Sequence, residues 1–164
     1  MNKIRALLLG TLALALSASA PLAAGNKPYI IDYAETKSLF VNKTMVTYDR
    51  AHGTQVEYIA ANGKTYLLYP GNKVVVRGNW KLSKTKTPKV FELCFKYGAN
   101  TYNPATGNSG GGWECQAAGF YLVDVVDTGE GDVLGLAAGK EPPFELSRRK
   151  ASLQQLLRLA ARSR

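Results

Sequence analysis

"VFELCFKY", residues 90–97, is the stretch whose reading decides the fold. Phe91, Leu93, Phe95 and Tyr97 alternate with Glu92, Cys94 and Lys96. A period of two belongs to a strand with one buried face, not to a helix. The alternation predicts Cys94 on the charged outer face, where a disulfide would clip a second segment onto the sheet.

The neighbouring segments repeat the pattern. Upstream lies "KVVVRGNWKL" (73–82), a strand interrupted by Gly78, which marks a bulge or a close backbone approach. Before it come "SLFVNKTMVTY" (38–48), "QVEYIA" (55–60) and "KTYLLYP" (64–70), all rich in β-branched and aromatic residues. Asn62-Gly63 reads as a type I′ hairpin turn, and Pro70-Gly71-Asn72 as the next turn. Downstream, the loop "GANTYNPATGNSGGGWEC" (98–115) leads into "WECQAAGFYLVDVVD" (113–127), read as a further strand. A turn follows at 129–132, and "EPPFEL" (141–146) reads as an extended edge segment, because Pro142 and Pro143 cannot donate to a ladder.

Short strands joined by turns predict a mainly β protein: an antiparallel meander closing into a small barrel or curled sheet. One helix is expected, at the C-terminus, where Leu153, Leu156, Leu157 and Ala160 form an apolar stripe at helical spacing.

The first residues, MNKIRALLLGTLALALSASAPLAAG, combine a basic start with an apolar run and small residues. This is the pattern of a secretory signal, with cleavage expected after Ala24, and the apolar run is too short for a membrane span. The expected organisation is a signal peptide at 1–24, an exported β domain at 25–146 and a basic amphipathic segment at 147–164. The destination is the periplasm or the exterior, and there the pair Cys94 and Cys115 is expected to form one disulfide.

The net charge of +9 is unevenly placed. Residues 147–164 hold six basic residues and no acid, while 25–146 is almost neutral. A surface built for nucleic acid would spread its charge, so nucleic acid is not expected as a partner. Arg148, Arg149, Lys150, Arg158 and Arg162 are instead candidates for peripheral contact with an anionic membrane or a partner. Within the body, basic residues between Lys73 and Lys96 and acids between Glu114 and Glu145 predict charge pairing between neighbouring strands.

Catalytic constellations are sparse. The lone histidine, His52, has Asp49 nearby, but "YDRAHGTQ" also reads as ordinary turn chemistry. No cofactor motif is present, because the glycines of 98–112 run into Trp113 and not into a helix. No metal site is expected: cysteine and histidine are too few for structural zinc, and Asp124, Asp127, Glu130 and Asp132 match no EF-hand spacing.

"GNWKL", "ELCFKYGANTYNP" and "GGWEC", with the preceding Tyr66–Gly71 turn, resemble a family of small exported alphaproteobacterial β-domain proteins. The shared pattern is Gly-x-Trp, then Cys-Phe-x-Tyr, then Trp-x-Cys, and it covers roughly residues 55–146. The resemblance implies a compact disulfide-linked β domain and brings no activity. The expectation is therefore a non-enzymatic protein that binds a small ligand or an envelope component. Tyr58, Tyr66, Tyr69, Trp80, Asn100, Tyr102, Asn103 and Trp113 are the candidate binding residues. The alternatives are an inhibitor or chaperone-like partner of another exported protein, and an enzyme using His52.

Overall fold

The computed structural model describes residues 32–163, so the expected signal sequence and its cleavage point lie outside the described residues. The chain forms β1 (Lys43–Asp49), β2 (Gly53–Ile59), β3 (Lys64–Leu68), β4 (Val76–Lys84), β5 (Phe91–Tyr97), β6 (Tyr102–Asn103), β7 (Asn108–Ser109), β8 (Glu114–Ala117) and β9 (Val125–Glu130). Among the described residues three helices accompany them: α1 (Tyr33–Ser38), α2 (Ala118–Asp124) and α3 (Leu153–Arg162). Seven strands make one antiparallel sheet in the order β8-β5-β4-β3-β2-β1-β9, and β6 and β7 make a small separate hairpin. The sheet curls into a half-barrel, as the alternating strands imply.

Two helices are additional to the expected C-terminal one: α1 precedes the first expected strand, which starts later than read, and α2 stands where strand was expected. At α1, the Asp32 side chain accepts from the Glu35 N–H (2.9 Å) and caps the first turn, so β1 begins only at Lys43. At α2, the segment read as one continuous strand breaks after Ala117. Ala118, Tyr121, Leu122 and Val125 fall at i, i+3, i+4 and i+7 and pack on one core, a helical period inside a run that looks β-like. The 62–63 turn also differs. Only Gly63 takes a positive φ (80°), and the Asn62 carboxamide oxygen accepts from the Lys64 N–H, so the loop is not type I′.

The sheet is covered on both faces. On the concave face Phe40, Met45, Ile59, Trp80, Leu82 and Phe91 pack with Ala118 and Tyr121 of α2, which links the two edge strands. On the convex face Val46, Val56 and Leu68 are buried by the chain after β9, first by Leu134, Leu136, Phe144 and Leu146 and then by α3. "EPPFEL" is therefore not an edge strand: its two apolar side chains are core. The α3 helix docks through Leu153, Leu156 and Ala160, while Leu157 stays more exposed than the stripe suggests. Ser152 and Gln155 form a capping box, and the Leu153 N–H donates to Asp127 Oδ2 (2.8 Å), tying the helix start to β9.

Cys94 and Cys115 sit directly opposite each other on β5 and β8 and form the expected disulfide. Such a bond belongs to an oxidising compartment. Cys94 is on the outer face but fully buried, since its partner lies over it and Ser83 lies beside it.

Candidate functional site

The concave face is packed along only part of its length. Three connections gather at the other end: β1–β2, β3–β4, and the long β5–β8 loop carrying β6 and β7. Between them opens a cleft of about 860 Å³. Its floor is made of inward positions of successive strands, Thr47, Gln55, Glu57, Leu67, Val76 and Phe95. That volume lies within the range of roughly 300–1,000 Å³ typical of small-molecule sites.

At its base is a buried acid that periodicity alone did not single out. Glu57 is only 6 % exposed. Its Oε1 accepts from the hydroxyls of Thr65 on β3 and Tyr97 on β5, both at 2.5 Å. Its Oε2 has no hydrogen-bond partner among the described residues. Burial pushes the Glu57 carboxyl up to about 7, while the two hydroxyls work the other way. Burial, followed by the nearby Glu57 charge, holds the Tyr97 and Tyr121 hydroxyls well above the ordinary tyrosine range.

Gly78 makes this arrangement possible. It pairs with Tyr97 in register, and a Cβ there would lie 2.7 Å from the Lys96 carbonyl oxygen and from Cδ1 of Tyr97. The Tyr97 ring crosses β4 over that gap to reach Glu57. Of the two readings of Gly78, the close approach is correct.

The rim carries His52. The Asp49 side chain accepts from the amides of Ala51 and His52 and lies 2.7 Å from His52 Nδ1. Partial burial raises the Asp49 carboxyl, but the His52 amide and ring and the Ala51 amide outweigh it and hold the group below its usual range. The segment is thus a turn, as its composition says, and it also faces the cleft. The Tyr69 ring stands edge-on to His52 at 6.1 Å, and its buried hydroxyl has no hydrogen-bond partner among the described residues.

Of the candidate binding residues, the fold brings Tyr69, Asn100, Tyr102 and Asn103 to the cleft. It does not bring the other four. Tyr58 and Tyr66 stack on each other on the convex face, with Arg77 over Tyr66 at 5.3 Å. Trp80 faces inward but fills the packed part, its indole N–H donating to the Ala60 carbonyl (2.7 Å). Trp113 is outside, 42 % exposed beneath the Lys81 ammonium. The 98–115 loop is not slack: Thr101 donates to Gly98, Gly110 to Thr101 and Gly111 to Tyr97 through their backbones.

The charged segments also find other partners than expected. Strand β9, which holds acids of the second segment, lies at the edge beyond β1, far in sheet order from β4. Lys81 and Lys84 therefore sit over Trp113 and Tyr33, and Arg77 donates to the carbonyls of Ala137 and Gly139. Among the described residues Lys43 pairs with Glu130, and the Asp49 carboxylate lies against the His52 ring. In the tail, Arg148 donates to the Ala51 carbonyl and Lys150 lies over Tyr48, while Arg149, Arg158 and Arg162 are exposed.

Three of the four acids weighed as calcium ligands, all but Asp124, are engaged by other groups of the fold. Asp132 accepts from the amides of Leu136 and Ala137, Asp127 from Thr128 and Leu153, and Glu130 pairs with Lys43. Among the described residues Glu92, Cys94 and Cys115 bring metal-type donors together, but the two sulfurs are bonded to each other. No family model, curated protein or solved structure matches the chain.

Proposed function

We propose that this is an exported, non-enzymatic binding domain that holds a small ligand in the cleft of its half-barrel. The observation that carries this reading is a concave face left unfilled over part of its length, where a buried acid and an unpartnered buried hydroxyl line the cleft. The Tyr69 hydroxyl is buried without a hydrogen-bond partner among the described residues, and Glu57, a buried acid, has only its Oε1 engaged by hydroxyls. A native core rarely leaves a buried hydroxyl idle, because it costs about 1–3 kcal/mol unless something satisfies it, and a buried carboxylate is held out of water at similar or greater cost. A ligand would satisfy them. The disulfide and the signal-like leader support a periplasmic or secreted setting.

The test is titration of the mature domain with the neutral fluorophore N-phenyl-1-naphthylamine, alongside Leu67→Trp, which fills the cleft. Saturable enhancement in the wild type that disappears in the variant supports the reading. No enhancement, or enhancement that the variant retains, overturns it.

A second reading, catalysis by His52, is favoured by one observation, the carboxylate that holds its Nδ1. Such a partner orients an imidazole as a base. Hydrolysis of p-nitrophenyl acetate at equal rates by the wild type and His52→Ala would remove it.

A further inference from the structure

The charged groups that line the cleft are predominantly acidic, although Asp49 is already held by the Ala51 and His52 amides and the His52 ring. Asp49, Glu57, Glu114 and Asp124 line the cleft against Lys73 and Arg77, and the Arg77 guanidinium is committed to the carbonyls of Ala137 and Gly139. Glu57 is approached by Met45 from β1, Thr65 and Leu67 from β3, Tyr97 from β5 and Tyr121 from α2, none of which is cationic. Beside it stands an aromatic wall. Phe95 and Tyr97 stack at 6.3 Å, and Tyr121 lies 5.8 Å from Phe95.

We infer that the ligand is a compact organic cation, a substituted ammonium whose charge sits between Glu57 Oε2 and the rings of Phe95 and Tyr97. This deepens the ligand-binding reading and rests on it. The chemistry follows from what the site lacks. An ionised carboxylate this poorly hydrated is costly without a cation, and none of the described residues packed against Glu57 supplies one. Aromatic faces attract ammonium groups by about 0.5–2 kcal/mol each, more as water is excluded. An anionic ligand would meet the carboxylates instead. A bulky alkylated ammonium suits both the ring wall and the apolar floor at Leu67 and Val76.

Binding requires the ionised form of Glu57, so a proton competes with the ligand. With the carboxyl near 7, affinity should weaken about tenfold from pH 8 to pH 6. Replacing Glu57 by Gln removes the charge but keeps an oxygen for the hydroxyls of Thr65 and Tyr97, so the fold is retained.

The experiment is calorimetric titration of the mature domain at pH 8 with choline and with 3,3-dimethylbutan-1-ol, which has the same shape without charge. Wild type and Glu57→Gln are compared, with N-phenyl-1-naphthylamine binding as a reference for the intact cleft. The expected result is choline binding at least tenfold tighter than the alcohol, a preference that Glu57→Gln abolishes. Equal affinities, or a preference that survives Glu57→Gln, overturn the cation and leave the binding reading standing. So does fluorophore binding without any choline binding. If no probe binds, both readings fall.

Discussion

The Tyr97 hydroxyl donates to Oε1 of Glu57 across 2.5 Å, although their strands, β5 and β2, have β4 and β3 between them. In a flat sheet those strands would lie about 14 Å apart. The contact therefore measures the curl of the sheet, and Gly78 is the gap through which it is made.

Gly78→Ala should destabilise the domain by about 1–3 kcal/mol, the usual cost of forcing a methyl into a packed site. The new Cβ would meet the Lys96 carbonyl, which is backbone and cannot turn aside. Urea unfolding of both proteins checks this, and equal midpoints would contradict it.

Glu57 should make stability fall as pH rises. Its carboxyl ionises near 4.5 in the unfolded chain and near 7 in the folded one. The folded state thus holds the proton more tightly, and stability is highest below about 4.5 and declines through 7. At about 1.4 kcal/mol per pH unit, the loss is about 3 kcal/mol. Unfolding curves of the wild type and Glu57→Gln from pH 4 to 8 should diverge in this direction, the variant being the more stable above 7.

Reduction of Cys94–Cys115 should cost about 3 kcal/mol, as expected for a closed loop of this length. Because the bond also fastens edge strand β8 to β5, amides of β8 should exchange faster after reduction. A melting temperature unchanged by reductant would contradict both statements.

The α3 helix should behave as part of the core. Leu156 is 1 % exposed beside the buried side chains of the convex face, so Leu156→Ala should cost about 2–5 kcal/mol. Arg158→Gln with Arg162→Gln should leave stability within about 0.5 kcal/mol. Sedimentation with anionic vesicles should be the same for this double variant and the wild type; a loss would give the basic face a membrane role.

The fold was legible wherever one face of a strand was apolar, as in β5, and wherever turn residues punctuated the chain, as at Pro70-Gly71. It was obscured at α2, where valines and aromatics of high β propensity sit at helical spacing, and tertiary burial of Ala118 and Tyr121 decides. The site was half legible. Asn100, Tyr102 and Asn103, polar and aromatic residues of a loop, and Tyr69, an aromatic at the end of a strand, reach the cleft. Trp80 and Tyr66 were chosen for chemistry alone, and packing claims them. Glu57 was missed because both faces of β2 are covered, which hides the alternation that would expose an acid on an inward position. The signal was there: Gln55 and Glu57 share a face with Ile59.

On the proposed reading, the unfilled part of the concave face receives the ligand. The most direct measurement is a ¹H–¹⁵N correlation spectrum of the mature domain titrated with N-phenyl-1-naphthylamine. Shifts are expected at the amides of Gln55, Glu57, Leu67, Val76 and Tyr97, with α3 and the convex face unmoved. Shifts centred on α3, or no shifts at saturating probe, would contradict it.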